Sequence, residues 1–182
     1  GAGMDTVSYA IAMEEISRGD ASCGVIMSVN NSLVCFLLEK FASDTIKEAY
    51  LKPLASGEKL GAFSLSEPQS GSDASNMKTH AKKEGNHYII NGQKIFCTNA
   101  GYSGIIIITA KIVDNSSAKN NIGAFIVESD SEGIKFGSPE KKMGWKGVDY
   151  AYDPITKKVY DLESVKRMSD PITVYGKVPF II

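Results

Sequence analysis

The spacing of apolar residues along the chain changes between residues 56 and 60. This change constrains the possible fold class more than any other feature of the sequence. Before it, apolar residues such as Val7 and Ile11 recur at helical spacing. After it, apolar runs of strand length alternate with turn signals such as Asn91-Gly92. The pattern predicts an α+β fold, in which a helical N-terminal part is followed by a β-domain.

Three helices are predicted in the first part of the chain. The segment "DTVSYAIAMEEISRGD" has Asp5 or Thr6 as its N-cap and Gly19 as its stop signal. The segment "ASCGVIMSVNNSLVCFLLEKFA" is apolar around most of its circumference and is expected to be largely buried. In "SDTIKEAYLKPLASGE", Ser43 is the predicted N-cap and Pro53 lies close to the end.

Six short strands are predicted beyond residue 60: "LGAFSLS", "MKTHAKKE", "HYIINGQKIFCTN", "GIIIITAKIV", "GAFIVES" and "IKFGSP". The Asn-Gly pair inside the third is expected to form a tight turn. No helix is predicted between the strands, which favours an antiparallel β-barrel-like domain over a parallel doubly wound sheet. We therefore divide the chain into a partial helical domain (1–56), a middle β-domain (57–147) and a tail of unassigned role (148–182).

Composition argues against several classes of function. A formal net charge of −1 gives no electrostatic basis for binding nucleic acid. The longest uninterrupted apolar run, from Leu33 to Leu38, is too short to span a bilayer. His80 and His87 have no partners at metal-ligand spacing. Three cysteines without a CxxC pair indicate buried thiols in a reducing compartment, either the cytoplasm or the mitochondrial matrix.

The stretch "FSLSEPQSGSD", residues 63–73, begins as a strand and breaks into a polar loop. Its serine hydroxyls and consecutive backbone N–H groups are suited to an anion-binding concavity, and Gly71 permits close approach or a positive φ. An ordinary turn in which Asp73 caps local N–H groups explains the same residues equally well. The residues of this loop alone leave both interpretations open.

A second stretch, "KIFCTNAG", places Phe96 and Thr98 two residues apart on one predicted strand face. An aromatic ring beside a hydroxyl can line a ligand site. Taken alone, however, the pair is better explained as a core phenylalanine next to a threonine with high strand propensity. Neither of the two common phosphate-loop signatures occurs in the chain.

Together, "EEISRGDAS", "FSLSEPQSGSDAS", "YIINGQKIFCTNAG", "GAFIVE" and "KMGWKG", in this order, resemble the acyl-CoA dehydrogenase family, most closely its short-chain members. The resemblance extends from Gly1 to about Gly147. It implies a helical part packed against a β-domain, with FAD held between the sheet and a C-terminal four-helix bundle. On this resemblance, the chain is interpreted as a fragment without the bundle.

The resemblance also implies a cofactor site. Its members in this chain are Phe63, Ser64, Leu65, Ser66, Gly71, Ser72, Phe96, Cys97 and Thr98. The first four correspond to positions along the isoalloxazine ring, where donors at Ser66 stabilise charge that develops on N1 and O2. Gly71 and Ser72 correspond to positions near the pyrophosphate and the CoA portion of the substrate, and residues 96–98 to the N5 side.

The implied reaction is α,β-dehydrogenation of a short-chain acyl-CoA, with electrons passing to an electron-transferring flavoprotein. The family is also expected to form homo-oligomers and to carry its catalytic base on the C-terminal helices. Residues 148–182 do not match the family pattern, so Asp161 and Glu163 inherit no role and no catalytic residue is assigned. We therefore expect low or no activity of this chain alone. The alternative is a non-catalytic interaction module that retains the β-domain fold.

Overall fold

The computed structural model describes residues 3–85, 87–113, 122–145, 150–155, 159–160 and 165–166. A helical part comes first and a β-sheet follows, so this part of the prediction is confirmed. The predicted strand "IKFGSP" is wrong, because residues 134–139 form no strand. The proposed division into residues 1–56, 57–147 and 148–182 stays a prediction.

Three helical stretches form the N-terminal part: α1 (Thr6–Gly19), α2 (Ala21–Phe41) and α3 (residues 44–56). Helix α2 is π-helical over Val29–Cys35, and α3 is π-helical over Lys47–Leu51. Asp5 is the N-cap of α1, since its carboxylate accepts the backbone N–H of Ser8 at 2.8 Å. Ser43 caps α3 as predicted, and Gly57, with a φ of 80°, ends it.

Eight strands follow: β1 (Gly61–Ser64), β2 (His80–Glu84), β3 (His87–Thr98), β4 (Ile105–Val113), β5 (Ile122–Glu128), β6 (Tyr150–Ile155), β7 (Val159–Tyr160) and β8 (Val165–Lys166). The sheet order is β6-β3-β2-β4-β5-β8, with β1 paired to β4 and β7 to β3. Strand β4 pairs in parallel with both β1 and β2, whereas the other pairs are antiparallel.

The predicted antiparallel β-barrel-like domain is therefore wrong: the sheet is mixed, and its described strands do not close on themselves. The physical reason lies in β4, where residues 105–108 are four consecutive isoleucines that are each at most 1% exposed. A strand buried on both faces is typical of parallel pairing at the centre of a sheet. An alternating strand at the solvated wall of a barrel would not be buried in this way.

The tight turn predicted at Asn91-Gly92 is also wrong, because β3 runs through it without interruption. Gly92 serves a different purpose there. A Cβ at this position would lie 2.6 Å from the backbone Cα of Thr79. The missing side chain therefore allows two backbone segments to approach closely, which is a recognised use of glycine inside a strand.

Helices α2 and α3 cover one face of the sheet. Their buried residues include Val34 and Leu38, which are both 0% exposed and pack with Ile105 and Ile107 of β4. By length and composition alone, α2 could cross a membrane, which the short run at 33–38 did not predict. In this structure, the helix contributes Val34 and Leu38 to the core, but the expectation that it is largely buried is wrong, because Phe36 and Phe41 are each 49% exposed.

Helix α1 contributes no buried residue. Val7 is 67% exposed and Ile11 is 57% exposed, so its apolar stripe is uncovered by the part of the chain that the structure describes. The expectation of buried thiols holds only in part: Cys97 is buried, Cys35 is half-buried, and Cys23 is exposed.

Two asparagines attach the start of β1 to the helices. Asn30, in the π-helical part of α2, accepts the N–H of Gly61 at 2.9 Å and donates to the Leu54 carbonyl at 3.2 Å. Asn99, in a left-handed conformation, donates to the Gly61 carbonyl at 3.2 Å and to the Ile26 carbonyl of α2 at 3.4 Å. A Cβ on Gly61 would lie 2.7 Å from a Val34 methyl carbon, so glycine allows helix and strand to approach closely here.

Tyr50 joins α3 to β5, since its hydroxyl donates to Glu128 Oε1 at 2.7 Å. Burial, together with the neighbouring carboxylate, raises the pKa of Tyr50, so its hydroxyl remains a donor. We expect Tyr50→Phe to lower the free energy of unfolding by about 1 kcal/mol, measured by urea denaturation. Tyr102→Phe, at a side chain 73% exposed, is the control. Equal stability of the two variants would show that the hydrogen bond contributes nothing.

Candidate functional site

The two motifs that the sequence singled out lie side by side in the fold. Strand β1 carries the first into a loop at Leu65, and β3 carries the second. The thiol of Cys97 lies 3.5 Å from the Phe63 carbonyl, and the backbone N–H of Ile95 donates to the Ser66 carbonyl at 2.9 Å. The structure therefore brings residues 63–66 and 95–98 into direct contact.

The loop after β1 is closed by a tight turn over residues 67–70. Glu67 and Ser70 exchange two backbone hydrogen bonds of 2.8 and 3.0 Å, and both residues are buried. The Ser70 hydroxyl donates to the Asp73 carbonyl at 2.7 Å. Asp73 does not cap an N–H group as the turn interpretation expected; its carboxylate accepts the Ser75 hydroxyl at 2.6 Å.

A buried ion pair lies between the two motifs. Lys94 Nζ is 2.9 Å from Glu67 Oε1, and the two side chains are 0% and 1% exposed. Sequence analysis assigned neither residue to the site, although both fall within the quoted motifs. The available signal was the occurrence of a charged residue at an inward position of an otherwise apolar strand, which is rare unless the charge is paired.

The surroundings of Glu67 favour its charged form. Burial raises the pKa of Glu67, but hydrogen bonds from Thr79, Lys94 and Lys78 and the charge of Lys94 outweigh it, so the pKa falls to about 2 from an ordinary value of 4.5. Burial lowers the pKa of Lys94, and the adjacent carboxylate opposes this. The geometry favours a charged pair at neutral pH, because Lys94 Nζ has three acceptors within 3.4 Å and one of them is the Glu67 carboxylate.

The lowered pKa of Glu67 predicts a specific loss of stability in acid. Because its pKa is lower in the folded than in the unfolded chain, the contribution is complete above about pH 4.5 and is lost as the pH falls towards about 2. We expect the free energy of unfolding of wild type to decrease more steeply over this range than that of Glu67→Gln. Urea denaturation at pH 6, 4 and 3 measures both, and parallel curves would contradict the assignment.

A β-bulge in β3 sets the orientation of Phe96. The register of β3 against β6 shifts between Lys94 and Cys97, and Phe96 has a φ of 56°. Phe96 is 60% exposed, whereas Thr98 is 7% exposed, so the strict alternation that predicted a shared face breaks here. The interpretation of Phe96 as a core residue is wrong.

Phe96 lines an open cleft of about 640 Å³. Its other lining residues are Glu140, Lys141, Lys142, Gly144 and Trp145. Trp145 also has a positive φ, of 50°, and is 52% exposed. The structure describes all nine predicted site residues, and only Phe96 among them lines this cleft.

Several donors near the end of β1 remain uncommitted within the described residues. The hydroxyl of Ser64 is fully buried and has no hydrogen-bond partner there. Ser66 is half-buried, and neither its backbone N–H nor its hydroxyl donates a hydrogen bond to another described residue. The Ser64 hydroxyl is enclosed by the protein, whereas the donors of Ser66 are partly accessible and fit a polar ligand such as the pyrimidine edge of a flavin.

Gly71 and Ser72 directly follow the turn over residues 67–70, and both are exposed. Gly71 does not have a positive φ, and a Cβ at this position would have no neighbour within 4 Å. Local geometry therefore does not require glycine, but the space beside it is open to a ligand. Within the described ranges, no group of three His, Cys, Asp or Glu residues could hold a metal ion.

Comparison with known families gives matches along most of the chain. The family model described as "Acyl-CoA dehydrogenase, N-terminal domain" matches residues 1–58. The model described as "Acyl-CoA dehydrogenase, middle domain" matches residues 62–158. The two matches meet between α3 and β1.

Individual relatives agree with this result. The chain is 46% identical over 151 residues to the human mitochondrial short-chain specific acyl-CoA dehydrogenase. The aligned region covers 83% of this chain and 36% of that protein. It superposes on butyryl-CoA dehydrogenase from Megasphaera elsdenii with a TM-score of 0.83 and 36% identity, covering 90% of this chain and 43% of that one. An acyl-CoA dehydrogenase complexed with FAD from Bacillus anthracis gives a TM-score of 0.81 and 34% identity, with coverage of 91% and 28%. The chain thus spans about a third of the length of its curated relatives.

Proposed function

This chain belongs to the acyl-CoA dehydrogenase family, and on that premise we propose that the junction of the loop after β1 and the bulge in β3 binds FAD and a short-chain acyl-CoA thioester. The observation that carries the proposal is the uncommitted backbone N–H and hydroxyl of the half-buried Ser66, which lies beside the bulged Phe96. Solved relatives include one described as complexed with FAD, which supports the choice of cofactor.

The proposed flavin contacts are Phe63, Ser64, Leu65 and Ser66 on one side and Phe96, Cys97 and Thr98 on the other. FAD, when bound, supplies a hydride acceptor at N5. The N–H and hydroxyl of Ser66 would then face the N1 and O2 positions, where fixed donors stabilise developing negative charge. Phe96 offers an apolar ring surface that excludes water from one side of the site.

The proposed substrate contacts lie on the loop beyond the turn. Gly71 and Ser72 are exposed, and the open space at Gly71 lets a pyrophosphate or the CoA portion of a thioester approach the backbone. The Ser72 hydroxyl is the proposed donor to that group. The site residues do not determine the length of the acyl chain.

For the whole protein we propose α,β-dehydrogenation of a short-chain acyl-CoA, with transfer of electrons to an electron-transferring flavoprotein and assembly as a homo-oligomer in the cytoplasm or the mitochondrial matrix. Within these 182 residues, no side chain is assigned to α-proton abstraction. General-base catalysis contributes about 10²–10⁴-fold, so we expect the 182-residue chain alone to turn over little or no substrate.

A flavin-retention experiment tests the proposal. The purified chain is incubated with excess FAD and desalted, and its visible spectrum is recorded before and after addition of butyryl-CoA. Retained flavin absorbance without bleaching supports both the site and the low activity. Bleaching by butyryl-CoA would contradict the low activity, and complete loss of flavin would contradict the site.

The exposed stripe of α1 favours a second candidate, a non-catalytic interaction module. Val7 and Ile11, each more than half exposed, give this helix an apolar face suited to a protein surface. On this alternative, the chain would retain no FAD, and Val7→Ser/Ile11→Ser would dissociate its assembly. Sedimentation velocity with added FAD separates the two functions: flavin absorbance that sediments with the chain supports the cofactor site, whereas dissociation of the double variant without any bound flavin supports the interaction module.

A further inference from the structure

We propose that Glu67 and Lys94 are positioning residues, which set the uncommitted donors of Ser66 and the ring of Phe96 relative to each other. The inference rests on the proposed function, because it assumes that these groups contact a flavin. It assigns no contact with the flavin to either charged residue. Both side chains are almost completely buried behind the site.

Lys94 satisfies all three of its ammonium donors within the protein. It donates to the Leu65 carbonyl at 3.0 Å, to Glu67 Oε1 at 2.9 Å and to Thr109 Oγ1 at 3.4 Å. The first of these acceptors directly precedes Ser66 in the chain, and Lys94 itself lies two residues before Phe96. A single side chain therefore connects the loop after β1 to the bulge in β3 and to the central strand β4.

Glu67 extends the connection to a third segment. Its carboxylate accepts the backbone N–H groups of Lys78 at 2.6 Å and Thr79 at 3.0 Å, and the Gln69 amide at 2.6 Å. The segment just before β2 is therefore tied to the same carboxylate as Lys94. The loop that carries Ser66 is held from both ends by charge-assisted hydrogen bonds, which are stronger than neutral ones.

The bulge explains why such a support is needed. A non-glycine residue at a φ of 56°, as at Phe96, is uncommon and persists only where its surroundings determine it. On one side of Phe96, the N–H of Ile95 donates to the Ser66 carbonyl at 2.9 Å. The Lys94 ammonium fixes the carbonyl that immediately precedes Ser66. The ion pair thus restrains both partners of the contact between bulge and loop.

A stability role alone does not account for this arrangement. Replacing a buried ion pair by apolar groups of similar volume often leaves the free energy of unfolding unchanged or increases it. A gain in stability is therefore a weak explanation for the presence of this pair. Since its two charges cancel, it adds little net field at the site. Its specific effect is to fix geometry, and geometry is what a preorganised cofactor site requires.

The test compares Glu67→Gln/Lys94→Met, in which both charges are removed together, with wild type and Tyr50→Phe. Dissociation constants for FAD are measured by quenching of flavin fluorescence, and folded fractions by urea denaturation. We expect the folded double variant to bind FAD about 10-fold or more weakly, by analogy with the loss of affinity at metal sites when residues that orient the ligands are removed. Tyr50→Phe, remote from the site, should bind like wild type.

Unchanged FAD affinity in the folded double variant would overturn the proposal. If wild type itself fails to bind FAD, the proposed function fails, and hydrogen exchange decides the positioning role separately. Selective loss of protection at the amides of Ile95 and Thr79, with β4 unaffected, would still support positioning. Unchanged or uniformly altered exchange would overturn it. Glu67→Gln alone undergoes the same measurements if the double variant does not fold.

Discussion

Lys94→Met is expected to destabilise the protein strongly, because it leaves the Glu67 carboxylate buried without its cation. Removing one partner of a buried pair costs about 3–5 kcal/mol, since the desolvated charge that remains is uncompensated. Lys94 is 0% exposed, so water cannot replace the lost ammonium without a rearrangement of the loop. Urea denaturation at pH 7 measures the difference in the free energy of unfolding from wild type.

The matched control is the double variant, in which the charge of Glu67 is removed as well. We expect Glu67→Gln/Lys94→Met to be more stable than Lys94→Met, because no unpaired charge stays buried. The account would be contradicted if Lys94→Met remained within 1 kcal/mol of wild type, or if the double variant lost the sum of the two single losses.

Leu38→Ala is the second change with a large expected effect. Leu38 is 0% exposed between α2 and the sheet, where it packs in the same cluster as Val34, Ile107 and Ile126. Truncation of a fully buried leucine removes transfer free energy and leaves a cavity, which together cost about 2–5 kcal/mol. We expect a loss of this size in the free energy of unfolding, measured by urea denaturation.

Leu33→Ala provides the control on the same helix, because Leu33 is 41% exposed. Its loss should be clearly smaller than that of Leu38→Ala. Equal and small losses at the two positions would contradict the placement of α2 against the sheet. They would favour the other interpretation of its length and composition, that of a helix in contact with lipid.

The sequence predicted the helical part well because its signals are local. Asp5 and Ser43 mark helix starts through hydrogen bonds to nearby N–H groups, and α1 ends at Gly19 as predicted. Strand pairing involves distant residues, and here the prediction failed. The absence of intervening helices favours antiparallel pairing, whereas β4 pairs in parallel with β1 and β2, and its four consecutive isoleucines are buried on both faces.

In the site, too, local features were predictable from the sequence, whereas features that depend on distant residues were not. The two motifs were recognised, and the structure brings them into contact, but the bulge at Phe96 depends on pairing with β6 and could not be inferred from alternation. The buried pair of Glu67 and Lys94 joins residues 27 positions apart, so its formation depends on the tertiary fold. The assignment of the nine residues to a cofactor remains a proposal.

Backbone amide resonances recorded during a titration with FAD test the central claim most directly. The account predicts that FAD shifts the amides of Leu65, Ser66 and residues 96–98, at the junction of the first loop and the bulge, and leaves those of α1 unchanged. No shifts at saturating FAD, or shifts confined to α1 or β5, would contradict the claim that the junction of the loop after β1 and the bulge in β3 binds a flavin.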